Sequence, residues 1–76
     1  MQSIYSPQYK AFLARLRQQR LTKHRTQVQV AKALGKPQSF VSKIERGERR
    51  LDPLELKALA KLYGVSIDRL LGYLKP

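Results

Sequence analysis

A chain of 76 residues with 16 Lys and Arg against five Asp and Glu carries a formal net charge of +11, an excess that self-repels unless a polyanion neutralises it. Its length allows one small core over residues 1–76, since a chain this short buries only about 60% of the surface it exposes when unfolded, and twelve Leu with four Val, three Ile and two Phe supply the apolar bulk. The absence of Cys excludes a disulfide framework and a cysteine metal site, lone His24 cannot assemble a metal site by itself, and no apolar run approaches the ~20 residues of a membrane span.

The first predicted helix starts at Ser6-Pro7, where Ser can cap free amides and Pro fits the first turn. Tyr9, Phe12, Leu13 and Leu16 recur at the spacing of one helical face, with Lys10, Arg15, Arg17 and Gln18 on the other, and the helix ends between Arg20 and Lys23. Thr26 and Gln29 form a capping box, so the second helix starts at Gln27, buries Val30, Ala31 and Leu34, and ends at Gly35. Lys36 precedes Pro37, which suits the first position of a third helix. That helix buries Val41 and Ile44, runs to about Arg46 and is stopped by Gly47. Asp52, Pro53 and Glu55 repeat the start signal for a fourth helix with Leu56, Leu59, Ala60 and Tyr63 inward, ending at Gly64. Ser66 caps a last helix carrying Ile67, Leu70, Leu71 and Leu74, loosened by Gly72 and stopped by Pro76. No strand alternation interrupts this, so the fold class is all-α, five short helices around one core.

Two short helices separated by a Gly-containing turn, in a basic all-helical chain, have the sequence form of a helix-turn-helix. Ala31 must be small for the helices to cross closely, and Val30, Leu34, Val41 and Ile44 hold the pair against the rest of the core. The third helix then turns Gln38, Ser39, Ser42 and Lys43 outward, with Arg46 a turn later. A Gln amide can bond bidentately to adenine and a Ser hydroxyl can donate or accept. Lys43 can reach a guanine or a phosphate. Lys36, Arg46, Arg49 and Arg50 suit phosphate contacts. Phe40 has two readings, contact with a thymine methyl or packing against the core.

The segment TQVQVAKALGKPQSFVSKIE resembles the lambda-repressor and Cro-like family, and the likeness extends from Leu16 to Leu71. It is carried by Thr26-Gln27, Ala31, Leu34-Gly35, Gln38-Ser39, Val41-Ser42, Ile44-Glu45, Gly47 and the later LAKLYGVSIDRLL. The resemblance implies a five-helix DNA-binding domain in which Gln38 and Ser39 read base edges and Gln27 grips a phosphate. It also implies a structural ion pair between Arg20 and Glu45. Where relatives often carry Gly then Leu before the Thr-Gln pair, this chain has His24 then Arg25, which puts a side chain at a left-handed position at a cost of about 1 kcal/mol.

The expected partner is double-stranded DNA, bound by a homodimer, because one recognition helix reads too few base pairs to find a unique site. Leu71, Tyr73 and Leu74 are either the dimer contact or the closing layer of the chain's own core. The expected activity is repression of transcription, with no enzymatic chemistry, no cofactor, no metal and no small-molecule ligand. A protein-interaction adaptor or antitoxin-type component on the same scaffold is the alternative. The N-terminal stretch MQSIYSPQYK lacks the charged-then-apolar order of a signal peptide, and a reducing cytoplasm is the expected compartment.

Overall fold

The computed structural model describes residues 6–72 and is all-helical across them: α1 Pro7–Thr22, α2 Gln27–Leu34, α3 Gln38–Glu45, α4 Pro53–Tyr63 and α5 Ile67–Leu71. Four of the five starts are local side-chain caps. Ser6 Oγ accepts from the Tyr9 amide and Ser66 Oγ from the Arg69 amide, while Thr26 with Gln29 and Asp52 with Glu55 each form a complete capping box. Each cap satisfies amides that a helix start leaves without intrahelical partners, typically for about 1 kcal/mol.

The third start differs from the sequence expectation. Pro37 is not the first helical residue but the residue before it, extended at ψ 155 and with no side-chain cap. The reason is the end of α2. Gly35 turns left-handed at φ 68, and the Lys36 amide folds back onto the Ala31 carbonyl, so the chain is still leaving α2 at Lys36. Pro37 then redirects it, and its carbonyl accepts the Phe40 amide to open α3.

The helices close on one core. Phe12, Leu13 and Leu16 of α1, Val30 and Ala31 of α2, Phe40, Val41 and Ile44 of α3, Leu59, Ala60 and Tyr63 of α4, and Leu70 of α5 are all buried. Leu16, Ile44, Leu70 and Val30 are the largest fully enclosed side chains, each worth about 1.5–3 kcal/mol of apolar burial. Ala31 is buried where α2 and α3 cross. Leu34 and Leu56 only half-bury against the cluster. The described part of the last helix stops at Leu71, with Gly72 left-handed after it. Leu74 and Tyr73 lie outside the described residues.

Candidate nucleic-acid interface

α2 and α3 are eight residues each, joined by the turn at Gly35, and α3 divides cleanly into two faces. Phe40, Val41 and Ile44 point into the core, while Gln38, Ser39 and Lys43 are exposed and Ser42 is half-buried, its hydroxyl donating to the Ser39 carbonyl at 3.3 Å. The inward face pins the helix, so the outward groups are carried on a fixed frame.

A polar network fixes the other end of that frame. Arg20 donates through Nε to Glu45 Oε2 at 2.7 Å and through Nη2 to Oε1 at 3.1 Å, and its Nη1 reaches the Arg25 carbonyl at 2.9 Å. Gln27 donates its side-chain amide to the same Glu45 Oε1 at 3.0 Å. The end of α1, the start of α2 and the end of α3 therefore share one carboxylate, and Arg20 ties the turn before α2 to it. The Arg20 and Glu45 side chains are 9% and 7% exposed. At that burial the bidentate guanidinium is what makes an ionised acid tolerable. Hydrogen bonding to Glu45 also raises the Arg20 pKa above its usual value. Burial first, and the Glu45 charge second, push the Tyr63 phenol up to about 12. Because Glu45 is the only acid in α3 and is withdrawn here, the outward face of α3 offers amide, hydroxyl and ammonium groups without a carboxylate to repel an anion.

Residues 16–70 match a family model described as helix-turn-helix. The chain belongs to the lambda-repressor and Cro-like helix-turn-helix family. That is a family of DNA-binding regulators. The match begins within α1 and ends at Leu70 of α5, so this helix-turn-helix protein carries the family pattern through all five helices. No curated protein and no solved structure matches the chain. Among the described residues no helix is long and apolar enough to cross a membrane.

The helix-turn-helix frame sorts the remaining candidate residues. Lys43 stands exposed on α3, with no acid partner among the described residues. Arg46, just past α3, pairs in the open with Glu48, Nε to Oε2 at 3.1 Å, which gives Glu48 a partner that sequence reasoning did not find. Phe40 is buried in the core, and the thymine-methyl reading is therefore set aside. Its ring is flanked by two cations, Lys36 Nζ at 5.3 Å and the Arg49 guanidinium at 4.7 Å from the centroid. Arg49 is also forked onto Glu55 at 2.8 and 3.0 Å, and this hydrogen bonding holds the Glu55 carboxyl below its usual pKa. Arg50 lies over the Tyr9 ring at 5.5 Å. Gln27 has one amide hydrogen on Glu45 and a second to donate, while among the first amides of α2 that of Gln29 is capped by Thr26.

Arg15 is the residue that sequence reasoning misplaced. Expected on the solvent face of α1, it is half-buried and donates to the Leu70 and Leu71 carbonyls at 2.7 and 2.8 Å, closing the C-terminal end of α5. Helical spacing alone carries no signal for this, because the partners are backbone carbonyls of a helix 55 and 56 residues away.

Proposed function

We propose that this chain works as one domain that binds double-stranded DNA sequence-specifically, with α3 in the major groove, and that two copies on a two-fold site repress transcription. The outward row of Gln38, Ser39, Ser42 and Lys43, on a helix held from behind by Val41, Ile44 and the Arg20–Glu45 pair, is the observation that carries this reading. A B-DNA major groove about 12 Å wide admits such a helix, and its edges display the acceptors and donors these side chains complement. Gln38 reads adenine through its amide, with Ser39 and Ser42 beside it, and Lys43 meets a guanine or a phosphate. Gln27, Lys36, Arg46, Arg49 and Arg50 contact the backbone on either side. Arg46 does so by exchanging Glu48 for phosphate, a cheap exchange because that pair is exposed. Leu71, half-exposed at the end of α5, belongs to the contact between copies.

Selection of bound sites from random duplexes, followed by measurement of Gln38→Ala against every single-base change in one half-site, tests the reading. Gln38→Ala is expected to cost about 1–3 kcal/mol on the selected site and little on random DNA. With about eight cationic contacts per dimer, the log-log salt slope is expected near −7. A uniform loss across all sites with base preferences intact would move the reading function elsewhere on α3, and a slope near zero would end the DNA-binding reading.

A further inference from the structure

We propose that His24 is a further DNA contact, whose imidazole meets the backbone phosphate beside the bases read by Gln38 and makes DNA affinity fall as pH rises through neutrality. This rests on the reading of α3 as the DNA-reading helix. The first observation is conformational. His24 has φ +56 and is the one non-glycine residue at positive φ among the described residues. The left-handed positions after α2, α3, α4 and α5 are all glycine, at φ between 68 and 77. A glycine after α1 would remove about 1 kcal/mol of backbone strain, so a side chain is kept there against the local preference.

The second observation is where that side chain stands. A shallow, open recess of about 530 Å³ lies between the end of α1 and the start of α2, and His24 lines it together with Gln27 and Gln38, the two residues proposed to grip phosphate and read a base. Leu21 and Val28 on its walls are 48% and 53% exposed, an apolar surface unused by the core and suited to deoxyribose carbons. The imidazole is exposed and has no hydrogen-bond partner among the described residues.

The third is charge. Arg20 at the end of α1 and Arg25 in the turn line the recess with His24, the Arg20 guanidinium being held on Glu45; Thr26 before α2, Gln27 and Val28 of α2 and Gln38 of α3 complete it, none of these four charged. Glu45 is behind the recess, taken by Arg20 and Gln27. The recess holds no carboxylate, and a phosphate brought against an imidazole favours its protonated form. Binding therefore takes up a proton, and an imidazole changes charge in the neutral range.

The experiment compares the full chain with His24→Asn and His24→Gly on the duplex selected by the wild-type protein. Asparagine tolerates left-handed backbone and carries no proton at any pH. The wild type is expected to bind about three- to tenfold more tightly near pH 6 than near pH 8, as one proton per subunit allows. His24→Asn is expected to abolish that ratio and to make the salt slope shallower by about one unit per subunit. His24→Gly is expected to melt at a higher temperature yet bind more weakly near pH 6, opposite signs that a purely structural role does not produce. A pH ratio that survives in His24→Asn assigns the proton to another group and overturns the proposal. So does a glycine variant that binds as tightly as wild type at both pH values, or a wild type that binds its site with no pH dependence. A wild type that binds no duplex at all overturns the DNA-binding reading, and this inference with it.

Discussion

Arg15 joins the two ends of the described chain. Its guanidinium, from the middle of α1, donates to two successive carbonyls at the end of α5. Carbonyls in the last turn of a helix carry the negative end of its dipole, which a guanidinium complements. Gly72 follows directly beneath, and a Cβ there would run into the Arg15 guanidinium, so glycine at this position serves both the left-handed φ of 69 and the clasp. Arg15→Ala is expected to lower stability by about 1–2 kcal/mol, read as a shift in urea midpoint at unchanged m-value. Arg15→Lys recovers only part of it, because an ammonium cannot span both carbonyls as the fork does.

At the scale of elements, the link from α3 to α4 is a relay in which each member has two jobs. Glu55 completes the α4 capping box by accepting the Asp52 amide, and with the same carboxylate it holds Arg49. Arg49 in turn covers the Phe40 ring of α3. A carboxyl whose folded pKa lies below its usual value adds stability above the unfolded pKa, and that stability is lost as pH falls through the folded one. Glu55→Gln is expected to cost about 1 kcal/mol at neutral pH and to flatten the stability loss below about pH 4.5, measured by denaturant midpoints from pH 7 to pH 3. An acid limb identical to wild type would show that the Arg49 fork contributes nothing in solution.

Across the whole molecule, the Arg20–Glu45–Gln27 network and Tyr63 put a buried polar seam behind the outward helix. Because the folded Tyr63 pKa is raised to about 12 from an ordinary 10.0, its contribution is fully present below pH 10 and is lost as pH rises from there to the folded value. Thermal melts from about pH 8 to pH 11.5 are expected to show a steep alkaline limb that Tyr63→Phe makes shallower. Phenylalanine keeps the ring in the core and removes only the ionisable group, so an unchanged limb would place the alkaline transition on another residue. The same scale explains the opposing effects of salt. With a net charge of +11, added salt screens self-repulsion in the free protein while it weakens the phosphate contacts of a complex.

What the sequence by itself determined is everything decided within about five residues along the chain. Ser6, Thr26 with Gln29, Asp52 with Glu55, and Ser66 start their helices because the oxygen that caps and the amide it caps are three apart. Gly35 and Gly64 end theirs because the backbone there must turn left-handed. The inward stripes follow from helical spacing, and with them the division of α3 into a buried and an outward face. Even the strain at His24 could be anticipated, from a side chain standing where a glycine fits better. Tertiary structure alone decided where long polar side chains end. Arg15 crosses to a helix 55 residues away, Arg20 and Gln27 meet on one Glu45 oxygen pair, Phe40 goes to the core beneath Lys36 and Arg49, and His24 shares a recess with Gln38. The physical reason is reach. A cap or a glycine turn is settled by its immediate neighbours, but a guanidinium on a flexible stem selects among acceptors that exist only once distant helices have packed.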